Sequence, residues 1–220
     1  MNHWTDTPTR SHQNISAALD VVDSILSYVK LGVGKPSAEE RALFAAAVVF
    51  TYGIWEHFVE QIAIEVAQQL GATIAPESVP GEVKASFAKM NAWELTVTPG
   101  WRTLWLNLVK VKAVGDDRDS YGMNTAGAQQ VKQLFLLAGI ADPYKLVLPK
   151  CVPSHLPADK KSVLAAIDSL VELRGSIVHT GKVPDPLRKK HVLAWRSFVE
   201  SAADGIDSAC RQESKALLKV

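Results

Sequence analysis

The chain has 220 residues, of which 47% are hydrophobic, and its 24 basic and 23 acidic residues leave a net charge of +1. This length and composition predict one large domain with a sizeable core, and they exclude a chain that is disordered throughout. The near-neutral charge argues against a surface that coats nucleic acid broadly, although it is compatible with a small basic site.

The N-terminus, the apolar runs and the cysteines bear on where in the cell the protein acts. The first ten residues lack the apolar core of a signal peptide, and the longest apolar run, residues 42–55, is too short to span a bilayer. Cys151 and Cys210 are far apart, and neither belongs to a CxxC pair. We therefore expect reduced thiols in a cytoplasmic protein without a membrane partner.

The first part of the chain predicts two helices. Apolar residues recur at helical spacing over residues 14–30, and glycines and a proline follow them. Ser37 and Glu40 have the spacing of a capping box, in which each side chain satisfies the other residue's backbone N–H. This box starts a longer helix over residues 38–70, which we expect Gly71 to end.

Residues 72–125 are predicted to form a less regular insertion. Prolines and glycines mark loops at its start, and three tryptophans surround a turn in its middle: Trp93, Trp101 and Trp105. Such rings stack on bases in some nucleic-acid-binding proteins, but in a helical protein they more often pack in the core.

Three helices complete the predicted fold. They cover residues 126–138, residues 159–180 with Asp159 as the N-cap, and a last stretch from the PDP at residues 184–186 to about residue 218. Because strand signals are few, the pattern favours an all-α helical bundle that forms a single domain over residues 1–220.

One arginine interrupts the apolar face of the helix at residues 159–180. Arg174 falls in the same stripe as four apolar residues at near-heptad spacing: Leu164, Ile167, Val171 and Val178. Burying a guanidinium without a partner costs several kcal/mol, so we expect an acidic or anionic group to meet it. Glu56 has a matching inward position on the second helix. The two charges form either a structural ion pair or one polar site between helices.

The opposite face of that helix is polar and carries a histidine near its end. Its members are Asp168, Glu172, Gly175 and His179, at spacings of four, three and four residues. The sequence around them, ELRGSIVHTG, resembles the R-x4-6-H motif of the HEPN superfamily, a group of helical ribonucleases and their relatives. Two further stretches, YGIWEHFVEQ at residues 52–61 and SYGMNTAGAQQVKQLFLLAGI at residues 120–140, are similar to the HEPN branch that is named for its association with RiboL-PSP proteins.

The resemblance implies a HEPN-like bundle in which Arg174 binds the scissile phosphate and His179 transfers protons. It also implies a homodimer whose two motif helices face each other around one groove. The residue after the arginine is usually polar in active members, whereas here it is Gly175. HEPN toxins that an antitoxin modifies with AMP carry a tyrosine two residues after the histidine, and Gly181 stands there in this chain, so we expect no such control at this site.

RNA cleavage by these residues needs no metal or cofactor, because the 2′-hydroxyl of RNA is itself the nucleophile. Histidine serves as acid or base, and the forked donors of arginine match phosphate oxygens. Glu56 either orients Arg174 or contributes to the site, and Lys182 and Lys189 supply charge for phosphates beside it. CVPSH, residues 151–155, contains two side chains of zinc-ligand type, but without a second pair we expect a loop thiol and a surface histidine.

The sequence therefore predicts a metal-independent endoribonuclease of toxin or antiphage-defence type. Its substrate is RNA, and an antitoxin or a defence-system protein is a further candidate partner. Two alternatives remain: a catalytically inactive HEPN-like module that binds RNA or protein, and a helical scaffold in which Arg174 and Glu56 simply pair.

Overall fold

A computed structural model describes residues 4–30, 34–88, 100–116 and 121–219. These residues form seven α-helices and no strand, which confirms the predicted all-α bundle. In chain order the helices are α1 (Arg10–Ser27), α2 (Ala38–Thr73), α3 (Gly81–Phe87), α4 (Trp101–Val114), α5 (Ala128–Leu137), α6 (Val163–Thr180) and α7 (Lys189–Leu218).

Helix α2 is the central element of the bundle. Its predicted capping box is confirmed, since the Ser37 N–H donates to Glu40 Oε2 (2.9 Å) and the Glu40 N–H donates to Ser37 Oγ (3.2 Å). The helix packs against α1, α4, α6 and α7. Burial of each large apolar side chain stabilises the fold by about 1.5–3 kcal/mol, and α2 buries a continuous series of them: Phe44, Val48, Trp55, Phe58, Val59, Ile62, Val66 and Leu70.

The apolar run at residues 42–55 lies within α2. An apolar window of 18 residues in this helix is longer than that run. By length and composition α2 passes the test for a membrane span, with an 18-residue window of mean hydropathy 1.5, of which 44% is buried inside the protein. The central helix of a bundle passes the same test, so one such helix is weak evidence for a span. Gly71 does not end α2, because the helix continues to Thr73 and the Ile74 N–H still bonds to Leu70 O (2.8 Å).

The segment at residues 72–125 contributes a core helix to the bundle. Helix α4 packs along α2, and Trp105 is fully buried with its indole N–H bonded to Leu137 O (2.8 Å). Trp101 stacks on Trp105 with their ring centroids 6.4 Å apart. Packing therefore accounts for Trp105, as the sequence favours, while Trp93 lies outside the described residues.

Three helix starts differ from the predicted ones: α7 begins at Lys189, after the predicted PDP at residues 184–186, and α6 and α1 begin where another side chain provides the cap. Asp159 lies in a short 3-10 turn, and Ser162 is the N-cap of α6 because its Oγ accepts the Ala165 N–H (3.2 Å). Helix α1 begins four residues early because Thr9 Oγ1 accepts the His12 N–H (3.2 Å). The Thr9 N–H in turn donates to the buried carboxylate of Asp207 (2.9 Å), which joins the start of α1 to α7.

Gly205 and Gly53 give opposite expectations for alanine substitution. A Cβ on Gly205 in α7 would lie 2.7 Å from Val147 Cα and 2.9 Å from Leu146 O, so backbone would have to move. We expect Gly205→Ala to lower the free energy of unfolding by about 1–3 kcal/mol. A Cβ on Gly53 in α2 meets no atom within 4 Å, so Gly53→Ala should raise it by about 0.5–1 kcal/mol. Urea unfolding followed by circular dichroism measures both changes, and shifts of the same sign would contradict this packing.

Candidate functional site

Helix α6 positions the predicted motif residues, but its buried face differs from the predicted stripe. The side that packs on α2 and α5 buries Ala166, Ile167, Ser169, Leu170 and Ile177. Leu164 and Val178 were expected on this buried side, and they are 47% and 49% exposed. The reason is that the predicted stripe is centred about 100° around the helix from the middle of the observed buried face, so that only Ile167 belongs to both. The predicted polar face is confirmed for three members, since Asp168, Glu172 and His179 are exposed.

Arg174 lies half-buried at the contact between α6 and α2. Its Cζ is 5.2 Å from the centroid of the Tyr52 ring, which is a cation–π distance. Within the part of the chain that the structure describes, no acidic group forms an ion pair with this guanidinium, and no hydrogen bond uses its donors. Arg174 is therefore held by an aromatic face while its hydrogen-bonding groups stay available.

Tyr52 contacts both Arg174 and Glu56, the two residues for which the sequence suggested a direct ion pair. The Tyr52 hydroxyl donates to Glu56 Oε1 (2.8 Å) and accepts the Ala126 N–H (2.9 Å). Burial raises the pKa of Tyr52 above its usual range, and the bonded Glu56 carboxylate raises it further. The structure thus contains a polar site between helices rather than a direct ion pair, and Tyr52 contacts both charged side chains.

A second carboxylate follows Glu56 by one helical turn. Glu60 is half-buried, and burial together with the charge of Glu56 raises its pKa from its usual 4.5 to about 7. Sequence reasoning missed both Tyr52 and Glu60, although their spacing of four residues on either side of Glu56 marks one polar row along α2. A carboxyl that exchanges protons near neutral pH has the property of a general acid or base.

His179 lies on the last turn of α6 and is exposed. It follows Arg174 by five residues, which is about 7.5 Å along the helix axis and about 140° around it. A Cβ on Gly175 would lie 3.9 Å from His179 Cδ2, so the space beside the imidazole is open. Gly181 ends the helix in the left-handed conformation (φ 65°), and its N–H bonds to Ile177 O (2.9 Å). Arg174 and His179 therefore start from different sides of α6.

The two lysines that were predicted to support the site have different surroundings. Lys182 is exposed just after α6, and its backbone N–H donates to Thr180 Oγ1 (3.0 Å). Lys189 is half-buried at the start of α7, and its Nζ donates to Leu26 O (2.9 Å) at the end of α1. The Lys189 ammonium group therefore bonds to the C-terminal end of α1.

The CVPSH segment contains a packed histidine. His155 is exposed, as expected for a surface histidine, and its ring stacks on His191 with ring centroids 4.5 Å apart and meets the edge of Trp195 at 5.8 Å. Burial lowers the pKa of both histidines, and Lys190 lowers both further. Cys151 and Cys210 are free, and burial raises the pKa of each thiol. Among the described residues, no three His, Cys, Asp or Glu side chains are grouped as a metal site requires.

Comparison with known proteins gives no relative for this chain. It matches no family model, and no curated protein or solved structure is significantly similar to it.

Substitution of Glu60 should change how stability depends on pH. Folding raises the pKa of this carboxyl because burial disfavours its charged form. The contribution of Glu60 to the free energy of unfolding is therefore most favourable below about pH 4.5, and it is lost as the pH rises through about 7 and the carboxyl ionises. We expect Glu60→Gln to raise Tm at about pH 8 and to leave it nearly unchanged at about pH 4.5. Thermal melts at both pH values measure this, with the exposed Glu82→Gln as the matched control. Parallel curves for Glu60→Gln and wild type would contradict the assignment.

Proposed function

We propose that the protein is a metal-independent endoribonuclease of toxin or antiphage-defence type that acts in the cytoplasm. The observation that carries this proposal is the state of Arg174, a half-buried guanidinium that makes neither an ion pair nor a hydrogen bond with another described residue. Desolvating a charge without a counter-charge is unfavourable, and a bound phosphate supplies that charge.

Arg174 is the phosphate-binding group in this proposal. Its Cζ lies over the Tyr52 ring, 5.2 Å from the centroid, and this contact uses none of its N–H donors. Two parallel N–H···O bonds to non-bridging oxygens would hold the scissile phosphate and stabilise the charge that develops in the transition state. Tyr52 and Glu56 are positioning residues, because they act on the guanidinium rather than on the substrate.

His179 is the proton-transfer group. The 2′-hydroxyl of the substrate gives up its proton and its oxygen bonds to phosphorus, while the bond from phosphorus to the 5′-oxygen breaks and that oxygen takes a proton. The products are a 2′,3′-cyclic phosphate and a 5′-hydroxyl end. An exposed imidazole on the last turn of a rigid helix is accessible to a large RNA substrate.

A homodimer completes the site. Within one copy, the two motif residues are about 140° apart around α6, so a second copy is needed to bring an arginine and a histidine to one phosphate. Helix α6 offers a seam for this contact. Leu164 and Val178 are exposed, and the half-buried Val171 lies midway between them at seven-residue spacing. An antitoxin or a defence-system protein that covers this groove would keep the nuclease inactive.

Gly175 favours a second candidate, a catalytically inactive module that binds RNA or a protein through the same surface. Its position supplies no side chain, and the open space beside His179 leaves the imidazole without a neighbour there. Gly175→Asn tests this second candidate. If the glycine is what limits cleavage, the asparagine amide should raise a cleavage activity that is weak or absent in the wild type.

The role of His179 predicts a specific loss. His179→Ala removes an exposed side chain, so it should change stability by less than about 0.5 kcal/mol while it abolishes RNA cleavage. Arg174→Ala should also abolish cleavage, at a cost of about 1 kcal/mol for the lost contact with Tyr52. Cleavage of total and transfer RNA on gels measures both effects, and the exposed His57→Ala is the matched control. Cleavage that persists in folded His179→Ala protein would contradict the role of His179 as the proton-transfer group.

The dimer seam predicts a position-specific effect of charge. Leu164→Glu places a carboxylate in the seam and should convert the dimer to a monomer, because two such charges would meet near the two-fold axis. Leu193→Glu on α7 is the matched control, since Leu193 is 38% exposed and lies on another helix. Light scattering measures the mass of each variant. A monomeric wild type, or equal masses for the two variants, would rule out this interface.

A further inference from the structure

A separate basic pocket lies between the end of α1, the start of α2 and the start of α7. Its volume is about 320 Å³, and none of the motif residues or their neighbours on α2 described above lines it. Five basic side chains line it against one carboxylate, that of Glu40. The five are Lys30, Lys35, Arg188, Lys189 and Lys190.

Basic side chains outnumber the carboxylates around this pocket, which are Glu40 in its lining and Asp185 in the adjoining concavity with Lys35 and Arg188. None of the five cations forms an ion pair within the described residues. Lys189 and Arg188 donate instead to backbone carbonyls, of Leu26 (2.9 Å) and Gly34 (3.4 Å). The Glu40 carboxylate accepts the Ser37 N–H in the capping box.

Three of the cations remain exposed at the pocket. The ammonium groups of Lys30, Lys35 and Lys190 have no hydrogen bond to another described residue. Glu39 is within electrostatic reach of Lys30, but its carboxylate already accepts the Ser37 hydroxyl (2.7 Å). The chain as a whole has a net charge of only +1, whereas this pocket holds a local excess of cations.

The start of α7 adds to this positive potential. The helix begins with Arg188 as N-cap and Lys189 and Lys190 in its first turn, with no acidic residue in that turn and no side-chain cap. Cations at a helix N-terminus oppose the helix dipole, so this sequence is unfavourable for the helix unless an anion binds there. Local sequence that conflicts with the fold in this way is expected at a functional site.

We propose that this pocket binds clustered phosphate groups. Several ammonium groups and a guanidinium in a small concave space match the charge and the oxygen acceptors of linked phosphates. A free nucleotide polyphosphate and the backbone of RNA both carry such groups. The site is independent of cleavage, and residues 181–188 join it to the end of the motif helix, where Arg41 fixes the loop by donating to Val183 O (3.0 Å).

Calorimetric titration with sodium tripolyphosphate at low salt tests the pocket directly. We expect wild type to bind this probe and the double variant Lys35→Ala/Lys190→Ala to bind it at least tenfold more weakly. Lys110→Ala/Lys132→Ala removes the same charge from two exposed positions on α4 and α5 and should bind like wild type. Both pairs are exposed, and melting curves check that each variant is folded. Absence of binding to wild type, or equal weakening in both double variants, would overturn the proposal.

A second titration identifies the source of the phosphates. The probe is a 2′-O-methyl oligonucleotide, which cannot be cleaved through a 2′-hydroxyl. If the pocket variant loses both probes and tripolyphosphate displaces the oligonucleotide from wild type, the pocket binds an RNA backbone. If the variant loses tripolyphosphate alone, it binds a free nucleotide polyphosphate. Wild-type affinity of the pocket variant for both probes would overturn the site. Cleavage-deficient His179→Ala should bind tripolyphosphate normally, which separates this site from the proposed nuclease.

Discussion

The contact between Tyr52 and Arg174 is the interaction on which the candidate site depends. The tyrosine ring carries the guanidinium at 5.2 Å, while its hydroxyl links Glu56 on α2 to the Ala126 N–H that precedes α5. The Tyr52 side chain therefore contacts α2, α6 and the segment that precedes α5. Because the guanidinium meets a ring rather than a carboxylate, its charge is positioned without being neutralised. The structural ion pair that the sequence also allowed is therefore absent among the described residues.

Much of the fold could be predicted because its signals are local. The Ser37–Glu40 box of α2 and the apolar periodicity of α1 need only neighbouring residues, and both are confirmed. The helix starts were less predictable, since Ser162 rather than Asp159 reaches the free N–H groups of α6. The site was predictable only in part. Arg174 and Glu56 stand out as charges in apolar stripes, whereas Tyr52 fits such a stripe equally well as a core residue, so its hydroxyl contacts depend on how α2, α5 and α6 pack.

The geometry of α6 also limits what one copy of the chain does. Arg174 faces α2, His179 lies on the exposed end of the helix, and Gly175 between them contributes no side chain. The exposed Leu164 and Val178 stay unburied for the same reason, because neighbouring helices cover only one arc of α6. A second copy of α6 would cover these residues and pair the two motif groups across the two-fold axis. In the proposed dimer, the open apolar seam and the separation of the two motif residues would have one explanation.

The chemistry of the RNA ends is the most direct test of the central claim that Arg174 and His179 cleave RNA without a metal. Purified protein is incubated with transfer RNA in EDTA, and the new termini are identified by mass spectrometry. The account predicts cleavage that persists in EDTA and leaves 2′,3′-cyclic phosphate and 5′-hydroxyl ends, because the 2′-hydroxyl is the nucleophile. Cleavage that requires magnesium or manganese, or that leaves 3′-hydroxyl ends, would contradict it.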